Sequence, residues 1–247
     1  MIQLSRSSPV PIYYQLAEAL REQIESGALK PHERLLSERE LSESYNISRM
    51  TARQALSKLE VAGYIYRRQG SGSFVAEPKI RQGLLGLSSF TEDMRQRGLS
   101  PGARVLSIEL VSTNADLIRR FQAEANEQFV KIERIRLANG EPMALEFCSL
   151  RHKFCPGIEE LDFTDRSIYE TLRERYNIYL GRADQTIEVK SASEYEAQVL
   201  NVKQGTPMWQ MERLTYLEDT RIVIEYVRST YRGDRYTLYA ELDRRER

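Results

Sequence analysis

Cysteine and histidine are nearly missing from this chain: two of each in 247 residues, Cys148, Cys155, His32 and His152. Two cysteines are too few for a disulfide framework, so a reducing cytoplasm is the expected compartment. The histidines stand far apart in sequence, and neither a Cys/His metal cluster nor a cofactor is expected. No apolar run approaches membrane-spanning length, and the N-terminus lacks the basic-then-apolar pattern of a signal peptide, so no membrane partner is expected. Net charge is missing too, with 36 basic residues against 36 acidic ones, which at first argues against a nucleic-acid partner. Internal repeats and low-complexity tracts are absent. What is there, 41% hydrophobic and 29% charged residues, is the composition of a globular protein long enough for two domains.

The zero average conceals a basic stripe. Between residues 49 and 68, Arg49, Arg53, Lys58, Arg67 and Arg68 face a single acid, Glu60, leaving four net positive charges in a form that attracts phosphate. Around this stripe the local signals spell three helices and a ribbon. Ile12, Leu16, Leu20 and Ile24 recur every four residues from Pro11, and the pattern stops at Gly27. Ser37 and Glu40 form a capping box, with Leu36 and Leu41 at the positions of a hydrophobic staple. After a break in which Asn46 suits a left-handed conformation, Ser48 caps a third helix that runs to about Ala62 and ends at Gly63. Residues 64–68 and 73–76 read as two strands joined by Gln69-Gly70-Ser71-Gly72.

Three helices and a glycine-tipped ribbon within residues 1–76 make a winged helix-turn-helix. The third helix puts Ala52, Ala55, Leu56 and Leu59 on an inner face and Arg49, Arg53 and Ser57 on an outer one. Its capped N-terminus at Ser48 favours a phosphate, and Arg49, Thr51 and Arg53 occupy the positions that reach base edges in the major groove. Arg39 is placed for a neighbouring phosphate or base, while Arg67, Arg68 and Gly70 serve a wing approaching the minor groove. Residues 36–41 (Leu-Ser-Glu-Arg-Glu-Leu), 48–56 and 63–75 together resemble the DNA-binding domain of the GntR family of regulators. That resemblance implies a homodimer reading an inverted repeat in double-stranded operator DNA, with Arg39, Arg49, Arg53 and the Gly70 tip in contact. Leu36 departs from the proline of many members.

Residues 77–83 read as a linker around Pro78, and the remainder, 84–247, as a second domain. Strand-like runs at 104–111, 129–137, 143–150, 185–189, 208–216, 222–230 and 236–242 alternate with helix starts near Ser89, Asn114, Ser167 and Ser193. Hairpin-sized turns predict a mainly antiparallel sheet, so the fold class is α+β. Ser89 and Glu92 form a capping box that offers hydroxyls and free amides to an anion. Arg134 and Arg136, two apart on a strand, share a face and repel unless solvated, paired with acids or holding an anion. A two-residue Asn139-Gly140 turn would put Glu146 on the opposite face; a three-residue Ala138-Asn139-Gly140 loop would put it beside the arginines, and the latter is the expectation. Glu225, Tyr231, Ser167 and Tyr169 are further candidates.

From residue 84 the chain is similar to the HutC subfamily, whose UTRA effector domain shares the fold of chorismate lyase; residues 88–94 and 129–146 carry that match. The arrangement is most similar to regulators of amino-sugar utilisation. It implies a small-molecule effector, a sugar phosphate such as glucosamine 6-phosphate or N-acetylglucosamine 6-phosphate. By that resemblance Ser89, Phe90, Thr91, Arg134 and Arg136 hold phosphate, and Glu146, Ser167, Tyr169, Glu225 and Tyr231 line the sugar. The expected function is a ligand-responsive transcription repressor. Other readings are the same kind of regulator answering to a different small anionic metabolite, an architectural DNA binder, and a lyase. The lyase lacks a paired nucleophile and base, and fold alone is a weak warrant for it.

Overall fold

The computed structural model describes residues 4–68 and 70–242; Gln69, at the expected ribbon tip, lies outside them. The chain divides into two units. One runs up to Arg81 and takes in Asp234–Thr237; the other spans Gln82–Gly233 and continues from Leu238.

In the first unit, α1 (Ile12–Glu25) starts at Pro11 and buries Leu16, Ala17 and Leu20. α2 (Glu38–Tyr45) carries the full capping box of Ser37 and Glu40, and ends on Asn46 at φ 49°. Leu36 does not close a staple. It is exposed, and its neighbour Leu35 enters the core instead. α3 (Arg49–Val61) is capped by the Ser48 side chain and buries Ala52, Ala55, Leu56 and Leu59. Small alanines at two of these positions let α1 and α2 approach its axis closely. The strands β1 (Ile65–Arg68) and β2 (Gly72–Val75) pair antiparallel. Residues 32–35 add a third edge to this ribbon, because the amides of His32 and Leu35 donate to the carbonyls of Val75 and Ser73.

The tract 77–83, expected as an open linker, contains a strand. β3 (Ile80–Gly83) pairs with β10 (Tyr236–Tyr239) in a two-stranded sheet, and the division between units runs through it. The partner lies more than 150 positions downstream, so nothing local announces the pairing.

The second unit is built on a six-stranded antiparallel sheet in the order β4-β5-β6-β9-β8-β7. In chain order its elements are α4 (Phe90–Gln96), β4 (Pro101–Ser112), α5 (Ala115–Phe121), β5 (Gln128–Ala138), β6 (Glu141–Arg151), α6 (Ile168–Tyr176), β7 (Leu180–Ser191), α7 (Glu194–Leu200), β8 (Pro207–Leu217) and β9 (Val223–Arg232). Side chains alternate between the faces of β5. Phe129 and Ile135 point to the side covered by α5 and α7. Val130 and Ile132 point the other way, into an apolar cluster with Cys148, Leu150, Ile168 and Leu172 of α6. On that second face β5 turns from apolar to charged at Arg134.

The β5–β6 hairpin corrects the expected turn. Asn139 and Gly140 both have positive φ, 49° and 77°, and Ala138 pairs with Glu141, which makes a two-residue turn. Continued without interruption, that register would set Arg134 opposite Leu145. A β-bulge intervenes: Leu137 pairs with Pro142 but Arg136 pairs with Ala144, so Met143 is the extra residue and Arg134 faces Glu146. Glu146 stands on the arginine face by a route other than the expected three-residue loop.

Candidate functional site

The outer surface of the first unit carries a groove lined by Arg39, Arg49, Arg53, Arg67, Arg68 and Gly70, with Glu38 at its floor. Arg53 Nε and Nη2 reach the Glu38 carboxylate at 3.0 Å, and Arg67 Nη1 lies 3.6 Å from it. Arg67 also pairs with Glu60 at 3.0 Å, and its Nη2 donates to Ser57. Glu38 thus bridges α3 and β1, a contact the sequence did not announce. Exposed pairs of this kind contribute little stability and are screened by salt. Arg39 is exposed beside Glu43, Arg49 is exposed, and the Arg68 guanidinium lies over the rings of Tyr66 and Phe74. Ser48 and Thr51 share a hydroxyl contact of 2.8 Å at the start of α3, outside the groove lining.

In the second unit the charged end of the sheet face forms a cavity floored by β5, β6, β9 and β8. The starts of α4 and α6 and residues Gln82 and Gly83 wall it. Arg134 and Arg136 are 2% and 4% exposed, so they are not solvated charges on an open sheet face. Arg134 donates from Nε at 3.0 Å, and again from Nη2, to Glu146 Oε1; its Nη1 is buried without a hydrogen-bond partner. Arg136 donates from Nη2 to the Thr91 hydroxyl at 3.0 Å and stacks over Phe90, with Nη1 3.7 Å from Glu146. Thr91 stands behind Arg136 rather than on the cavity wall. Ser89 and Ser167 cap α4 and α6, accepting from the amides of Glu92 and Glu170.

The two carboxylates differ. Burial pushes Glu146 up, but Arg134 and Arg136 outweigh it and hold its carboxyl below the usual range. Burial dominates at Glu225, whose carboxyl is raised although it accepts from Thr215 at 2.7 Å and Tyr169 at 2.8 Å. Burial likewise moves the Tyr231 hydroxyl up to about 12. The structure therefore brings Ser89, Phe90, Arg134, Arg136, Glu146, Ser167, Tyr169, Glu225 and Tyr231 to one cavity. It adds Asp93, Gln185 and Arg213, which sequence reasoning missed. Arg213 donates from Nε to Gln185 at 2.8 Å and from Nη1 to the Ser88 carbonyl at 3.3 Å. On β8 it shares a face with the buried Met211 and Thr215, but a single charge at that position gives no sequence signal.

Comparison with known proteins identifies both halves. Residues 12–75 match the bacterial regulatory proteins of the gntR family, and residues 96–237 match the UTRA domain. The chain is 43% identical over 242 residues to the HTH-type transcriptional repressor NagR of Bacillus subtilis, covering 98% of each chain. It is 30% identical to the mannosyl-D-glycerate transport/metabolism system repressor MngR of Escherichia coli, over 94% of this chain and 96% of that one. The crystal structure of PhnF from Mycobacterium smegmatis superposes with a TM-score of 0.65 at 30% identity, covering 93% of this chain and all of PhnF. No helix among the described residues is long and apolar enough to cross a membrane. These likenesses are to regulators rather than to a lyase, and they assign DNA to the first half and a small-molecule effector to the second. The chain belongs to the GntR family of bacterial transcription regulators, as a repressor that joins a winged helix-turn-helix to a UTRA effector domain.

Proposed function

We propose that this repressor binds an inverted-repeat operator as a homodimer and is released from it by a phosphorylated amino sugar, glucosamine 6-phosphate or N-acetylglucosamine 6-phosphate, in the cytoplasm. One observation carries the reading: two buried arginines and the half-buried Arg213 converge on a cavity that also holds two buried carboxylates. Arginine forks suit a phosphate, and the buried unpartnered Nη1 of Arg134 is a donor awaiting an acceptor. Glu146, Glu225 and Tyr231 supply the acceptors and hydroxyl that a sugar or its amine requires. On the DNA side, α3 enters the major groove through Arg49, Thr51 and Arg53, with Ser48 and Arg39 on phosphate. Arg67, Arg68 and Gly70 form the wing. The effector moves the equilibrium only by its differential affinity for the two states, about 1–3 kcal/mol in most regulators.

Thermal unfolding with added ligand tests the effector. Glucosamine 6-phosphate and N-acetylglucosamine 6-phosphate should raise Tm well above the effect of unphosphorylated glucosamine; an equal rise from the unphosphorylated sugar would refute the phosphate site. The likeness to MngR favours a second reading, a carboxylate-bearing glycoside held by the same arginines, and such a compound belongs in the same measurement.

A further inference from the structure

Asp93, on the inner side of α4, is used by nothing in the effector reading, yet it ties together two parts of the segment that leads into the second unit. Its Oδ2 accepts from Gln82 Nε2 at 2.9 Å and its Oδ1 accepts from Ser88 Oγ at 2.7 Å. Gln82 is the residue at which the division between units falls, on strand β3, and Ser88 directly precedes Ser89, the N-cap of α4. The Ser88 carbonyl in turn accepts from Arg213 Nη1. Gln82, Gly83, Ser88, Asp93 and Arg213 all line the cavity that holds Arg134 and Arg136. One carboxylate thus clasps the entry strand to α4 while facing the space where an anion would sit.

That placement sets up a competition. An anion drawn in by Arg134 and Arg136 meets Asp93 as a like charge across a partly buried space, where screening by salt is weak. Relief comes from rotating the Asp93 carboxylate away, which gives up its hydrogen bonds to Gln82 and Ser88. We propose that Asp93 is the positioning residue through which effector occupancy is read out, because anion binding and the Gln82–Asp93–Ser88 clasp exclude one another. The inference rests on the anion-site reading above. It adds that strand β3 is freed at Gln82 when the cavity fills, and that the clasped arrangement is the one that binds operator.

Linkage makes the idea testable, since anything that breaks the clasp must favour the anion and disfavour the operator, the two fold-changes multiplying to the shift in the clasp equilibrium. Gln82→Ala is the informative variant because it removes the clasp without altering charge; Asp93→Asn removes the charge as well. Both would be measured as full-length protein in two assays. One is calorimetric binding of glucosamine 6-phosphate, with inorganic phosphate as a second probe. The other is fluorescence anisotropy on a duplex selected by the wild-type protein from a random pool. The expected result for Gln82→Ala is tighter anion binding together with weaker duplex binding, the two fold-changes multiplying to about fivefold or more, the lower end of typical coupling. Gln82→Ala with both affinities unchanged, or with both weakened, overturns the clasp. If glucosamine 6-phosphate fails to bind the wild type while inorganic phosphate binds, the sugar assignment falls and the clasp is judged on phosphate. Should neither bind, both fall.

Discussion

Glu146 and Glu225 share a cavity, yet their surroundings push them in opposite directions, and this gives the protein a pH signature. Glu146, held low by its arginines, adds stability above the ordinary carboxylate pKa of 4.5 that is lost as pH falls through its native value. Glu225, raised by burial, binds its proton more tightly in the folded state, so stability declines as pH rises from 4.5 to its raised native value. Glu225→Gln should remove that decline, which urea unfolding from pH 4.5 to 7 would show; an unchanged pH dependence would mean the carboxyl is not raised. At the DNA face, Arg49→Ala should weaken binding to a selected duplex by about 1–3 kcal/mol while barely affecting random DNA. An equal loss on every duplex would mean Arg49 touches only phosphate. Residues such as Arg134 and Arg136 were legible because two arginines at a spacing of two share a face wherever the strand lies. Arg213 was not: one charge on a strand carries no pattern, and its partners Gln185 and Ser88 come from distant positions.

Among the elements, those whose signals are local were readable and those that depend on remote partners were not. The capping boxes at Ser37 and Ser89 each close within four residues, and both are formed. Ser37→Ala should cost about 1 kcal/mol in thermal or urea unfolding. The hairpin shows the limit of local reading. Asn139-Gly140 marks a turn, but the turn has two residues where three were expected, and the bulge at Met143 that returns Glu146 to the arginines depends on how β6 packs between β5 and β9. Strand β3 and the added ribbon edge at 32–35 were likewise hidden in their distant partners. At Gly63, which ends α3 at φ 79°, an added Cβ would stand 2.2 Å from the Asp234 carbonyl oxygen. Gly63→Ala should therefore cost at least about 2 kcal/mol, combining left-handed strain with displacement of residues 234–237. A melting temperature equal to wild type would show that those residues do not pack against the end of α3.

At the scale of the whole molecule, a winged helix-turn-helix whose basic groove is bridged by Glu38 and Glu60 is joined to a sheet domain with buried arginines on one face of its sheet. Both halves and their order were legible, since each rests on continuous motifs. The division at Gln82 falls within 77–83, the tract that reads as a linker, but the pairing of β3 with β10 there was not legible. The central claim is that an anion held by the buried arginines governs binding at the DNA face. The most direct measurement titrates glucosamine 6-phosphate into complexes of a selected duplex with wild type and with Arg136→Ala, a change that leaves the Arg134–Glu146 pair in place. Wild type should release the duplex as ligand is added, and Arg136→Ala should bind it equally well but stay bound. Release of the variant at the same ligand concentration would contradict the account.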